Sequence, residues 1–210
     1  MRPEEILAWV KAERLSFADF LETLDEHEWD ADSLCAGWTV RHVAAHTTMS
    51  TRQTLFMTIK GTIRARGDWD RMERELAWER AAMFEPAEII AQIRETAGSA
   101  RRAPGAGRLD PLVDFLVHGQ DVARPLGRSR QMPVEQAAVA LGQVVGSVFY
   151  GAGKRLRGTR IIATDCAYAH GDGPHELRGP VGDLLLVATG RPAGLAALEG
   201  PGVARVAAAL

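Results

Sequence analysis

Apolar residues recur at helical spacing along most of the first 157 residues of the chain. Residues three and four apart lie on one face of a helix, so this spacing predicts amphipathic helices that pack through their apolar sides. The first is predicted at residues 3–25, and the second begins after Thr39 and can continue to about Arg66. Further helices are predicted at residues 70–83, 86–98, 110–125 and 133–157. Residues 70–83 are rich in Arg and Glu, so this helix is expected to present a solvated face.

The pattern changes after Gly158, where β-branched residues and a cluster of Gly and Pro replace the helical periodicity. Such residues favour strands and turns, respectively. A strand, a turn and a return strand are predicted at residues 159–168, 171–174 and 175–178. Short helical stretches follow at residues 182–189, 192–198 and 203–210. We therefore predict two domains, a helical bundle at residues 1–158 and a small α+β domain at residues 159–210.

A polar stripe interrupts the apolar helix predicted after residue 110. Positions four and seven apart point the same way, so Asp114, His118 and Asp121 share one face. The residues around them are apolar almost all the way round, which predicts burial on most sides. A buried carboxylate and imidazole are costly unless they are compensated, and a divalent metal compensates them by taking both as ligands. The alternative is an Asp–His hydrogen bond that only fixes two helices.

His46, on the helix that begins after Thr39, is expected to face the interior and to be a second source of ligands. His46, Asp114 and His118 would supply three ligands from two helices, the number that catalytic zinc sites use. His42 is a competing ligand, because His42-x-x-x-His46 also has metal-binding spacing. We rank His42 second, since it lies in the opening turn of the helix.

Three groups of motifs carry a resemblance to a known family. They are Cys35-Ala-Gly-Trp38-Thr39-Val40-Arg41 leading to His46, Val117-His118-Gly-Gln-Asp121 before Arg124-Pro125-Leu126-Gly127, and Gly179-Pro180-Val-Gly-Asp183 with Gly190-Arg191-Pro192. With these motifs the chain resembles the mycothiol-dependent maleylpyruvate isomerase family of the DinB-like metalloenzyme superfamily. The resemblance implies a mainly α fold, a DinB-like four-helix bundle of the up-down-down-up type followed by a small α+β C-terminal domain.

The resemblance also implies a metal held by His46, Asp114 and His118, with zinc expected and nickel as the alternative. The family's acidic ligand is more often Glu, so the shorter Asp114 must approach the metal more closely or bind through water. Mycothiol is the implied co-substrate and a small electrophile the implied substrate. The reaction would be thiol S-transfer or a cis–trans isomerisation like that of maleylpyruvate. The rival hypothesis is a bundle that binds a metal or small ligand without turnover.

Two further residues are candidate catalytic groups. Asp121 lies one turn beyond His118, where it can accept the second ring proton of a metal-bound imidazole, with a purely structural carboxylate as an equal alternative. Arg191 is a candidate to bind a carboxylate of the thiol or of the substrate bidentately, if the cleft lies between the domains. A surface salt bridge is the alternative role for Arg191.

Composition excludes several classes of protein. The net charge of −2 gives no attraction to nucleic acid or to an anionic membrane surface. No apolar run approaches the ~18–20 residues that a membrane helix needs, and the N-terminus lacks the apolar region of a signal peptide. We therefore expect a cytoplasmic protein, monomeric or homodimeric. Cys35 and Cys166 form no Cys-x-x-Cys motif and are expected to be ordinary thiols. All but three of the 25 basic residues are Arg, which fits the GC-rich actinobacteria that make mycothiol.

Overall fold

The helical periodicity of the N-terminal part is realised in a computed structural model that describes residues 1–210. Several of the helices begin at a polar cap; the Asp25 and Asp68 carboxylates, for example, accept backbone N–H groups of the turns that follow them. The α-helices of residues 1–130 are α1 (Pro3–Glu22), α2 (Glu26–Asp30), α3 (Val40–Arg52), α4 (Leu55–Arg64), α5 (Trp69–Met83), α6 (Pro86–Glu95) and α7 (Asp110–Ala123).

Four of these helices, α1, α3, α6 and α7, form the bundle that the pattern predicts. Helix α1 packs against α6 and α7, while α3 packs against α5, α6 and α7. Their facing sides bury one apolar cluster, whose members include Phe17, Leu21, Val43, Ala44, Ile89, Ile93 and Phe115. This packing brings α3 and α7, which carry the candidate ligands, side by side.

The helix that was expected to run from Thr39 to about Arg66 is broken. Gln53 adopts an extended conformation (φ −61°, ψ 131°), and the Thr54 hydroxyl then caps α4 by accepting the Met57 N–H at 3.2 Å. The first N–H groups of a helix have no acceptor within the helix, and a Thr side chain is a favourable acceptor for one of them. A second helix therefore begins directly after Thr54. As a result Phe56, which a continuous helix would place on the stripe of His46, is 74% exposed.

Residues 131–210 form the second compact unit of the chain. Its elements are α8 (Val134–Gly146), α9 (Ala152–Arg155), β1 (Thr159–Ala163), β2 (Ala169–His170), β3 (His175–Gly179), α10 (Val181–Ala188) and α11 (Gly202–Ala207), with 3-10 helices at Val148–Tyr150 and Pro192–Ala197. The three strands form one sheet in the order β2-β1-β3. Helix α10 packs against α8, which joins residues 134–146 to this unit.

Three details of this unit differ from the sequence-based expectations. The helix expected at residues 133–157 ends at Gly146, because Ser147 is extended and Gly151 takes a positive φ of 68°. The strand expected to return at residues 175–178 instead runs parallel to β1, and β2 is the antiparallel partner. The chain divides into its two compact units between residues 130 and 131, whereas the sequence-based boundary lies near residue 158.

None of the helices combines the length and the apolar character that crossing a membrane requires.

Candidate metal centre

Helix α7 carries two of the three candidate ligands and is almost wholly buried. It begins at Asp110, and the Asp110 carboxylate accepts the Gly107 N–H at 2.6 Å. Every residue from Pro111 to Ala123 is buried except Asp114, whose side chain is 23% exposed. The opening beside Asp114 is therefore the one place where this helix meets solvent over that stretch.

His46, Asp114 and His118 converge at this opening. The Asp114 Oδ1 atom lies 3.6 Å from His46 Nε2 and 3.3 Å from His118 Nε2, and the three ligand atoms all lie within 4.8 Å of one another. Two ligand atoms that are each ~2.0–2.1 Å from a tetrahedral metal lie roughly 3.3–3.4 Å apart. The two separations from Asp114 Oδ1 are close to this value, and two imidazole nitrogens with a carboxylate oxygen are donors that a divalent metal takes, so the three residues form a candidate metal site.

The electrostatics of this cluster favour a cation. Burial opposes the ionisation of Asp114, but hydrogen bonds from His118 and His46 outweigh it and lower the pKa of Asp114. Burial also opposes the protonation of His118, yet its contacts with Asp114 and Asp121 raise the pKa of His118 well above its usual value. The cluster therefore holds a proton tightly, and the same negative charge attracts a metal cation.

Asp121 fixes the orientation of the His118 ring. Its side chain is fully buried, and its Oδ2 atom lies 2.8 Å from His118 Nδ1, so the other ring nitrogen is directed toward Asp114. This is the geometry expected for a carboxylate that accepts the second ring proton of a metal-bound imidazole. The assignment of Asp121 as a catalytic residue stays a prediction.

The loop before α3 supplies two neighbours of the site that the sequence interpretation did not assign to it. The Cys35 thiol donates to Asp121 Oδ2 at 3.2 Å, and its sulfur lies 3.9 Å from His118 Nδ1. The Trp38 ring lies 5.2 Å from the His46 ring and stacks at 17° against the His118 ring, 6.5 Å away. Both residues belong to the Cys35–Arg41 motif that carried the family resemblance. That motif was the feature of the sequence that could have identified them as neighbours of the site.

Glu73 on α5, the helix that was expected to present a solvated face, is a further neighbour of the site. Its Oε2 atom lies 3.6 Å from His46 Nδ1, and its side chain is only 16% exposed. The available signal in the sequence was the four-residue spacing of Glu73 and Ala77, which places them on one face of the helix, and the structure buries Ala77 fully.

The competing ligand His42 lies apart from this cluster. Its Nδ1 atom accepts the Thr39 N–H at 3.0 Å, which closes the first turn of α3, and its ring lies 6.2 Å from that of Trp78. The two histidines, one helical turn apart on α3, thus have different roles: His42 caps the helix and His46 faces Asp114.

Arg191 lies in the second unit, directly before the 3-10 helix Pro192–Ala197. Its Nη1 atom donates to the Thr189 carbonyl oxygen at 2.7 Å, at the C-terminal end of α10. The predicted role of Arg191 in binding thiol or substrate stays a prediction.

Comparisons with known proteins agree with this fold. Residues 10–132 match the family model described as the mycothiol maleylpyruvate isomerase N-terminal domain. A crystal structure of a mutant form of the mycothiol-dependent maleylpyruvate isomerase is similar, with a TM-score of 0.66, 14% identity and 95% of this chain and 93% of that chain covered. Another crystal structure of the mycothiol-dependent maleylpyruvate isomerase gives a TM-score of 0.63, 14% identity and coverage of 91% and 90%. A search of curated proteins gives no significant match. The predicted fold, a DinB-like helical bundle followed by a small α+β part, is confirmed.

Proposed function

Because the chain belongs to the mycothiol maleylpyruvate isomerase N-terminal domain family, we propose that it is a metal-dependent enzyme that uses mycothiol to act on a small electrophilic substrate. The observation that carries the proposal is the convergence of His46 Nε2, Asp114 Oδ1 and His118 Nε2 at the opening beside α7. All three residues lie within the stretch that matches the family model. Zinc is the expected metal and nickel the alternative.

Each side chain around the site has a separate task in this proposal. His46, Asp114 and His118 hold the metal. Asp121 accepts the Nδ1–H of His118 and so keeps Nε2 directed toward the site. Trp38 packs against both imidazoles and excludes water from one side of them. A divalent metal with open coordination positions lowers the pKa of a bound thiol and polarises a carbonyl group.

Two reactions are open to a thiol that is activated in this way. Addition of the thiolate sulfur to an activated double bond, rotation about the resulting single bond and elimination of the same thiolate give cis–trans isomerisation. Displacement of a leaving group, or addition without elimination, gives a stable thioether and hence S-transfer. A dicarboxylate such as maleylpyruvate needs more than one cationic group to hold it, and Arg191 is the one candidate that the sequence suggests. We therefore favour a general metal-dependent thiol enzyme over the specific isomerase.

The cellular setting follows from the same proposal. We infer a cytoplasmic enzyme of a mycothiol-producing actinobacterium, a monomer or homodimer whose partners are small molecules rather than nucleic acid or membrane.

Metal content is the first test of the proposal. Protein purified without added metal should contain about one zinc or nickel ion per chain by elemental analysis. His46→Ala should lose the metal because it removes one of three ligands, while circular dichroism should show the same helical content. Equal metal content in both proteins, or none in either, would contradict the metal assignment.

Thiol activation is the second test. Addition of mycothiol to cobalt-substituted protein should produce a sulfur-to-metal charge-transfer band, since a metal stabilises the thiolate form of a thiol whose free pKa is about 8.5. The thiol should then react faster with chlorodinitrobenzene or a bimane than it does with metal-free protein.

The second candidate function is a bundle that binds metal or a small ligand without turnover. The observation that favours it is Asp114, which is shorter by one methylene group than the Glu that is more usual in the resembled family. Normal metal content together with no charge-transfer band, and no rate above that of metal-free protein, would support this alternative and refute the enzyme.

A further inference from the structure

The two histidines of the candidate site share a feature that extends beyond the three ligand atoms. Each directs Nε2 toward Asp114, and each has a carboxylate oxygen facing its other ring nitrogen. For His118 this carboxylate is Asp121, at 2.8 Å, and for His46 it is Glu73, at 3.6 Å. We propose that Glu73 is a positioning residue, which accepts the Nδ1–H of His46 when Nε2 binds the metal. This inference rests on the proposed metal site.

The need for such an acceptor follows from the chemistry of imidazole. A neutral ring carries one proton, so a metal on Nε2 leaves that proton on Nδ1. The Nδ1 atom of His46 is buried and has no hydrogen-bond partner. A buried N–H group without an acceptor is unfavourable, because it loses its hydrogen bond to water and gains none in the protein. Metal binding therefore creates a buried donor, and Glu73 Oε2, 3.6 Å away, is a carboxylate oxygen that faces it.

The surroundings of Glu73 hold its other oxygen. Gln53 Nε2 donates to Glu73 Oε1 at 3.4 Å and to the Thr58 hydroxyl at 3.2 Å. Gln53, at the end of α3, thus holds Glu73 Oε1 by a hydrogen bond and is itself held by Thr58 in the first turn of α4. The other oxygen, Oε2, faces His46. The remaining 3.6 Å is slightly longer than a hydrogen bond, and small rotations about the side-chain torsions of Glu73 suffice to shorten it.

The charge on Glu73 is unusual for its helix. Glu75 and Glu79, on the same helix, form ion pairs at 2.8 Å with Arg71 and at 2.6 Å with Arg64. Glu73 is less exposed than either, and its ion-pair partner is His46 rather than an Arg or Lys. The Oε2 atom of this largely covered carboxylate therefore faces a histidine of the candidate site rather than a permanent cation.

The experiment compares Glu73→Gln and Glu73→Ala with Glu79→Gln, a control that removes the same charge from an exposed position of α5. The dissociation constant for zinc is measured on the full chain by competition with a chromophoric chelator. We expect Glu73→Gln to bind zinc about 10-fold more weakly and Glu73→Ala up to about 100-fold more weakly, as is typical when a carboxylate behind a metal-bound histidine is removed. Glu79→Gln should stay within about twofold of the wild type.

Two further measurements separate positioning from a general structural role. In zinc-loaded protein with 15N-labelled histidine, the Nδ1 proton of His46 should be visible and protected from exchange, and Glu73→Ala should abolish that signal. Urea unfolding of the metal-free proteins should give the same midpoint for the wild type and Glu73→Gln, because the acceptor is needed only once the metal is bound.

The outcomes distinguish this inference from the proposed function. Wild-type zinc binding that depends on His46, with unchanged affinity in both Glu73 variants, would overturn the inference and leave the proposed function standing. Destabilisation of metal-free Glu73→Gln large enough to explain its weaker affinity would also overturn it, as a structural effect. A wild-type protein that binds no metal would refute the proposed function itself, and the inference with it.

Discussion

The choice of ring nitrogen decides what each histidine of the site can do. His118 is held by Asp121 at Nδ1, so Nε2 is the nitrogen available toward Asp114. His46 presents the same nitrogen from α3. Asp114 is the one carboxylate at the point where these nitrogens meet, and it therefore supplies the negative charge that makes a cation favourable there.

Replacement of Asp114 and of His42 in turn tests which of these two residues is a metal ligand. Asp114→Asn keeps the size of the side chain but loses the anionic oxygen of a proposed ligand, so zinc affinity should fall by more than the about 10- to 100-fold that is typical when a group behind a ligand is lost. His42→Ala should change zinc affinity by less than about twofold, because His42 caps α3 and does not reach the cluster. Competition titrations with a chelator measure both. The reverse order of effects would make His42 and His46 the metal-binding pair.

The stability of the metal-free protein should depend on pH through the same cluster. The pKa of His118 is raised above 6.5 in the folded state, despite burial, by Asp114 and Asp121. A raised folded pKa contributes stability that is complete below the unfolded pKa and is lost as pH rises through the folded pKa. The pKa of Asp114 is lowered from 3.8, so its contribution is complete above that pH and is lost as pH falls through the folded pKa.

Urea unfolding of metal-free wild type and His118→Asn at pH values from about 5 to 9 tests this expectation. The advantage of the wild type should shrink as pH rises above about 6.5. In zinc-loaded protein the trend should reverse, since ligation requires neutral histidine and is favoured by higher pH. A wild-type advantage that grows with pH in the metal-free protein would contradict the proposed protonation of His118.

At the scale of elements, α7 is held in place by groups that are not ligands. Gly119 lies on the side of α7 that faces Arg130, and a Cβ atom added there would collide with the Arg130 guanidinium. That guanidinium forms a buried ion pair with Glu13 of α1 at 2.8 Å and donates to the Ser16 hydroxyl at 2.8 Å. The close approach that Gly119 permits therefore ties α7 to α1.

Two glycine-to-alanine changes within helices should have opposite effects. Gly119→Ala should lower the free energy of unfolding by about 1–3 kcal/mol, because displacement of Arg130 disturbs its buried pair with Glu13. Gly142→Ala in α8 should raise it by about 0.5–1 kcal/mol, since nothing lies within 4 Å of the added Cβ and alanine favours a helix. Urea denaturation of both variants gives the two values. Equal effects would show that helix propensity alone governs both positions.

At the scale of the whole molecule, the chain divides its candidate residues between two units. The proposed metal ligands all lie in Met1–Arg130, and Arg191 lies in Gln131–Leu210. The proposed thiol-binding residue and the proposed metal ligands thus lie in different units. The proposed roles of the two units can therefore be measured independently.

Arg191→Ala should weaken mycothiol binding about 10- to 100-fold and leave the metal content unchanged, because a charged hydrogen bond contributes about 1.5–3 kcal/mol. Isothermal titration of the zinc-loaded protein with mycothiol gives the affinity. Arg205→Ala is the matched control, since Arg205 lies in the same unit and donates to the Arg157 carbonyl oxygen. The role of Arg191 is disproved if its variant binds mycothiol as the wild type does, or if Arg205→Ala weakens binding equally.

The sequence by itself determined the features that depend on neighbours along the chain. Helical periodicity predicted most of the helices, and the spacing of Asp114, His118 and Asp121 predicted one polar stripe, because a helix fixes which residues share a face. The helix start at Thr39 followed in the same way from a local cap. Such features require only interactions that span a few residues.

Only the tertiary structure decided the features that depend on residues far apart in the sequence. Glu73 turns toward His46, and β3 runs parallel to β1 rather than returning as a hairpin. In each case the local pattern allows more than one arrangement. The choice between them is made by the packing of distant elements, because burial of apolar surface and satisfaction of buried polar groups are properties of the whole fold.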